Sequence, residues 1–112
     1  MSEPMKIRAF LLNGAVEVKL QVRHPMESGL RRDEQGTRIP PHYIETLVVK
    51  CKDRIVFNAR LGMAVSENPY LVFTFHGAEK GDPITVTWVD NLGDTRTDES
   101  TVITGASGGA MK

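Results

Sequence analysis

Cysteine is almost absent from this chain. The single Cys51 in 112 residues excludes an internal disulfide framework and any structural zinc site built only from cysteines. A surplus of either charge is missing too. Fourteen Lys plus Arg stand against fourteen Asp plus Glu, which leaves no electrostatic footprint for a nucleic acid or an anionic membrane. The short basic clusters, Arg31 with Arg32 and Lys50 with Lys52, are interleaved with Asp33, Glu34 and Asp53, as in ordinary solvated loops. No run approaches the roughly 20 apolar residues of a membrane helix, so membrane insertion is not expected. The early apolar run AFLL, residues 9–12, falls short of a secretory core of about 7 to 15 residues. The residues alone therefore predict a soluble cytoplasmic chain.

Period-two alternation is abundant. Met5, Ile7 and Ala9 alternate with Lys6 and Arg8. Asn13-Gly14 then turns the chain into Val16, Val18, Leu20 and Val22, which alternate with Glu17, Lys19, Gln21 and Arg23. Residues 24–41 are rich in Gly, Pro and charge and too long for a hairpin connection, so they should cross between sheets. A second hairpin is expected around Lys52-Asp53, with Ile55, Phe57, Ala59 and Leu61 on one face. In residues 70–75, Leu71, Phe73 and Phe75 point one way while Tyr70, Val72 and Thr74 point the other. The segment VTWVDNLGDTRTDE, residues 86–99, reads as a third hairpin with a solvated polar tip. Val86 and Trp88 share a face, and Asp90, Asn91 and Gly93 are able to take positive φ at the reversal.

About seven short strands with no amphipathic helical window predict an all-β, immunoglobulin-like antiparallel β-sandwich. Its core should draw on Ile7, Val18, Leu20, Phe57, Leu71, Phe73, Val86 and Trp88. Residues 1–103 form the expected single domain, and 104–112 (TGASGGAMK) a flexible Gly-rich tail.

Catalytic signals are sparse. None of the serines sits in a G-x-S-x-G elbow. The three histidines, His24, His42 and His76, lie where strands meet loops, and with Cys51 or Met26 they offer a metal-ligand set on paper. Their spacing argues against it, since no two stand at i, i+2 or i, i+4. A superoxide-reductase type centre needs four histidines and a cysteine, one histidine more than the chain has. Cys51 is in phase with Leu47 and Val49, which favours a small packing residue over a reactive thiol, with Lys50 and Lys52 directed to the opposite face. Two alternatives stay open: a small redox or metal-binding protein using Cys51 with His24 and His76, and a generic β-sandwich binding module with a concave pocket.

Three separated blocks carry a resemblance. HPMESGLRRDE (24–34), SENPYLVFTFHG (66–77) and VTWVDNLGDTRTDE (86–99) are together similar to the SoxZ family of thiosulfate oxidation, in one order and at similar spacing over about residues 4–103. The resemblance implies a non-catalytic subunit without a cofactor that forms a heterodimer with SoxY. In that family SoxY ends in a Gly-Gly-Cys-Gly-Gly arm whose thiol carries the sulfur substrate. The SoxZ-like chain stabilises the carrier and presents it, through transient contacts, to SoxAX, SoxB and SoxCD type enzymes. It further implies a periplasmic destination by co-export on the partner's signal peptide. The candidate partner interface is Tyr70 and Val72. The candidate enzyme-docking loops contain His24, Met26, Arg31 and Asp33 on one side and Asp90, Asn91 and Asp94 on the other. Ser107, at the centre of the glycine-rich stretch, has no sulfur and cannot take over the carrier role.

Overall fold

The turn chemistry sets the hairpins. Asn13 (φ 55°) and Gly14 (φ 82°) both occupy the left-handed region, the requirement of a two-residue turn that matches strand twist. That turn locks β1 (Lys6–Leu12) against β2 (Ala15–Gln21), with Ala9 opposite Val18. Lys52 (φ 58°) turns β3 (Ile44–Cys51) into β4 (Arg54–Arg60). After β5 (Tyr70–His76), Gly93 (φ 85°) reverses β6 (Pro83–Asp90) into β7 (Thr95–Thr104). At this last turn only Gly93 takes positive φ; Asp90 and Asn91 do not.

The computed structural model describes residues 2–104, so the expected glycine-rich tail with Ser107 lies outside the described residues, apart from Thr104 at the end of β7. The described residues contain seven strands and no helix, hence none long and apolar enough to cross a membrane.

The architecture is an all-β, immunoglobulin-like sandwich close to a barrel. One layer is β4-β3-β6-β7 and the other β1-β2-β5. They are joined by a short parallel pairing of β1 with β7, Ala9 beside Val102 to Leu11 beside Thr104, so the sheet is mixed rather than wholly antiparallel. At the opposite edge Phe57 of β4 stacks on Phe73 of β5, with ring centroids 4.2 Å apart and planes 7° from parallel. Nearby, Arg54 donates from Nη2 to the His76 carbonyl at 2.8 Å and lies over the Phe75 ring.

Alternation delivers Val16, Val18 and Leu20 from one layer and Leu47, Val49, Ile84, Val86 and Trp88 from the other to a dry interior. Trp88 is the largest fully buried side chain. Ile7, Phe57, Leu71 and Phe73 pack on this core while partly buried. Ile55 departs from the expected pattern. A bulge at Val56 leaves Val49 opposite Phe57 but Lys50 opposite Ile55, which moves Ile55 to the outer face, 54% exposed.

Residues 22–43 connect the two layers as an extended loop folded on itself. Glu27 and His42 exchange both backbone hydrogen bonds, at 2.6 and 2.9 Å, and Arg32 bridges Arg38. Gly29 (φ 88°) sits where the returning chain passes so closely that a Cβ would lie 2.8 Å from Cγ of Pro41. The far end of the loop therefore arrives beside its beginning.

Candidate functional site

Asp90 is the last residue of β6 and continues the inward phase of Ile84, Val86 and Trp88, so strand alternation alone puts a carboxylate inside the protein. It is 2% exposed. The expected solvated hairpin tip is thus corrected at this residue: the exposed tip begins after it. A buried carboxylate needs donors, and Asp90 has four. The backbone amides of Leu92 and Asp94 donate to Oδ1 at 3.0 and 2.9 Å. Nε2 of His24 and of His42 approach Oδ2 at 3.1 and 2.7 Å.

The two histidines come from opposite ends of the connecting loop. His24 follows Leu20 and Val22 on the inward phase and is held by Asn68, whose Oδ1 accepts from the His24 amide while its own amide donates to the His24 carbonyl, both at 2.9 Å. His42 returns through its bridge to Glu27. The rings lie 4.6 Å apart, and His24 stands edge-to-face against Trp88 at 5.0 Å. Among the described residues the buried Trp88 Nε1 has no hydrogen-bond partner. A cleft of about 250 Å³ opens over this cluster, bordered by Ser2, Arg23, Glu67 and Asn68.

The tautomer of His24 follows from its neighbours. Its Nδ1 accepts the Met26 amide at 3.1 Å, so the ring proton belongs on Nε2, where it is donated to Asp90. Burial pushes the His24 pKa below its usual value, against the Asp90 hydrogen bond that raises it. For Asp90 burial acts upward, but the hydrogen bonds from His24, His42 and the Asp94 and Leu92 amides prevail and hold its carboxyl below the usual range. A neutral imidazole hydrogen-bonded to a carboxylate results.

The same three side chains bring Nε2, Nε2 and a carboxylate oxygen within 4.8 Å of one another, a spacing that could hold a metal ion. The hydrogen bonding favours a different role. A histidine that binds metal through Nε2 carries its proton on Nδ1 and donates it outward, whereas Nδ1 of His24 faces a donor. The cluster is a latch that ties the start of the connecting loop, its end, and the β6–β7 turn to one carboxylate.

The other candidate residues separate by burial. Met26 is buried, with its sulfur accepting the Ile44 amide at 3.4 Å, so Met26, like His24 and Asp90, shapes the loops from inside. Asn91 ties the turn to the loop: its Oδ1 accepts from the Tyr43 amide at 2.7 Å and its Nδ2 donates to the Pro41 carbonyl at 3.1 Å. Arg31, Asp33 and Asp94 are exposed. Arg31 grips Glu27 with two hydrogen bonds, and Asp33 accepts the Gln35 and Thr37 amides at the loop tip. Tyr70 and Val72 are 56% and 51% exposed on the outer side of β5.

The proposed set of Cys51, His24 and His76 does not assemble. Cys51 pairs with Ile84 at one end of β6 and the histidine cluster meets Asp90 at the other, six residues or about 20 Å away. His76 ends β5 opposite Ala15, whereas His24 lies beyond Gln21, at the other end of β2. Cys51 is buried, and burial raises its thiol pKa, further from a reactive thiolate. His42 as the second arm of the latch was missed from the sequence. The available signal was Asp90 itself, since an acid in phase with Trp88 demands buried donors.

Fold and site together define an immunoglobulin-like sandwich with a hydrogen-bonded polar end and no nucleophile constellation among the described residues. Residues 5–101 match the family described as sulphur oxidation protein SoxZ, and the chain belongs to that family. Among curated proteins none matches. Two solved structures of variant superoxide reductase (neelaredoxin) from Archaeoglobus fulgidus, both in the reduced form, are similar. One is 21% identical with a TM-score of 0.57, covering 91% of this chain and 90% of its own. The other is 22% identical with a TM-score of 0.55, covering 91% and 87%. At that identity the likeness is one of fold.

Proposed function

We propose that this sulfur-oxidation subunit is non-catalytic and works as the structural half of a heterodimer with a SoxY-like, cysteine-bearing carrier chain in the periplasm. The observation that carries the reading is the family match over residues 5–101, which spans nearly the whole sandwich. The surface supports it. On β5, Leu71, Phe73 and Phe75 turn toward the core, while Tyr70 and Val72 stand more than half exposed on the other side of the strand. Exposed apolar groups at neighbouring positions of one sheet face suit a lasting protein contact, and a stable pair would bury about 1,600 Å² in total. Transient docking of the SoxAX, SoxB and SoxCD type enzymes is assigned to the exposed Arg31, Asp33 and Asp94, on loops that the Asp90 latch keeps in place.

Co-expression with a SoxY-like subunit followed by co-purification tests the pairing. Tyr70→Asp or Val72→Asp should weaken it at least tenfold, about 1.4 kcal/mol, with a smaller change in the thermal unfolding of the isolated chain. Pairing that survives both substitutions while remote surface charges disrupt it would move the interface elsewhere. Intact-mass analysis of the pair after reaction with thiosulfate should place the sulfur adduct on the partner; an adduct on this chain that Cys51→Ser removes would refute the non-carrier role.

A further inference from the structure

The outer face of β1-β2-β5 carries a charge arrangement that folding does not explain. Strand register sets three rows across it. Lys6, Gln21 and Tyr70 form one row, Arg8, Lys19 and Val72 the next, and Phe10, Glu17 and Thr74 the third. Arg8 is thus directly opposite Lys19, two exposed cations at a cross-strand position where side chains are about 5 Å apart and like charges repel. Among the described residues Arg8 has no carboxylate within 4 Å, and Lys19 reaches only Glu17, at 4.0 Å. Val72 and Tyr70, both more than half exposed, continue these rows without a break.

We infer that this face receives a protein surface presenting a carboxylate among apolar side chains, seated between Arg8 and Lys19 while its apolar neighbours cover Val72 and Tyr70. The inference rests on the heterodimer reading above and specifies the chemistry of the partner. Complementary charge on the face is limited to Glu17, which reaches Lys19 and leaves Arg8 without a carboxylate, and one from outside turns a repulsive pair into a two-cation clamp. The rows on either side argue for a protein partner over a polyanion: the third row holds an acid between Phe10 and Thr74, and the first a single lysine followed by Gln21 and Tyr70, so no further cation pair extends the first. A partner carboxylate here also fixes register, because only one row offers two cations side by side.

The test uses the full-length chain and a SoxY-like subunit, with dissociation measured at low and high salt. Arg8→Glu and Lys19→Glu should each weaken pairing at least tenfold at low salt, and the wild-type affinity should fall with salt more steeply than that of either variant. Isolated Arg8→Glu should unfold at the same or a higher temperature than wild type, because it converts the like-charge pair into an opposite-charge one; in Lys19→Glu that gain is offset by the loss of the exposed Glu17 contact, and the unfolding temperature should change little. That combination, unharmed folding with weakened binding, separates an interface role from a structural one. Arg32→Glu, on the distant loop, should leave pairing unchanged. If the swaps alter neither affinity nor its salt dependence while Tyr70→Asp and Val72→Asp still break the pair, the inference falls and the heterodimer reading stands. If wild type does not pair with the SoxY-like chain at all, that reading falls and the inference with it. Swaps that instead abolish a homodimer, or binding to anionic vesicles, would also overturn the inference.

Discussion

Two regions of this molecule treat polar and apolar groups in opposite ways. At the loop end of the sandwich a carboxylate and a histidine are buried, and each has its hydrogen bonds: Asp90 accepts four, and His24 both accepts and donates. On the outer face of β1-β2-β5, apolar Tyr70 and Val72 and the facing cations Arg8 and Lys19 lie in water. The first region satisfies its carboxylate and His24 internally, with Trp88 Nε1 left unpartnered beside them among the described residues, and its effect is to order loops. The second has unpaired groups that, on the pairing proposed above, gain from being covered. Sensitivity to folding should therefore concentrate at the latch, and sensitivity to association on the open face.

The sharpest way to break this contrast is Asp90→Ala. It leaves two amides and two imidazoles without their acceptor, and should cost about 3 to 5 kcal/mol in chemical denaturation, comparable to Trp88→Ala in the adjoining core. A loss below about 1 kcal/mol would mean that the latch is ornamental. Gly29→Ala should cost less, about 1 to 2 kcal/mol, because the alanine must hold positive φ against Pro41 but leaves no buried polar group without its partner.

Acid supplies a graded test of the same region. His24 has a folded pKa below its usual 6.5, so as pH falls past that value the unfolded chain takes up the proton first and stability declines. Asp90, held below its usual 3.8, contributes stability that is present above that value and lost as pH falls through its folded pKa. Thermal unfolding should therefore weaken in two stages on acidification, and His24→Gln should remove the first stage. A flat profile from pH 7 to 5 in wild type would contradict the neutral, donor-on-Nε2 assignment. The smallest effect is expected on the open face: Val72→Thr should change the stability of the isolated chain by no more than about 0.5 kcal/mol. A larger loss there would show that the face belongs to the fold.

Much of the fold was legible because strand alternation is a local signal. The Asn13-Gly14 turn, the inward phase of Val18 and Leu20, and the two-sided character of β5 all follow from residues a few positions apart. Ile55 was misplaced because a bulge shifts phase without a mark in the local pattern. The parallel pairing of β1 with β7 was likewise unreadable, since it joins strands more than 80 residues apart in sequence and depends on how the layers close. At the site, Asp90 was singled out for the right loop but assigned to water.

The sequence by itself determined the seven alternating strands, the turn positions, the family and the impossibility of a disulfide-built scaffold, because composition, period and local backbone preference are properties of neighbours along the chain. Only the tertiary structure decided that His24 and His42, 18 positions apart, would share one oxygen of Asp90, and that Cys51, His24 and His76 would stay apart. It also decided that Arg8 would face Lys19 in a row with Val72. The physical reason is the same in each case. Hydrogen bonding and charge act over a few ångströms, and which distant residues come that close is set by strand register and by the path of a loop folded back on itself.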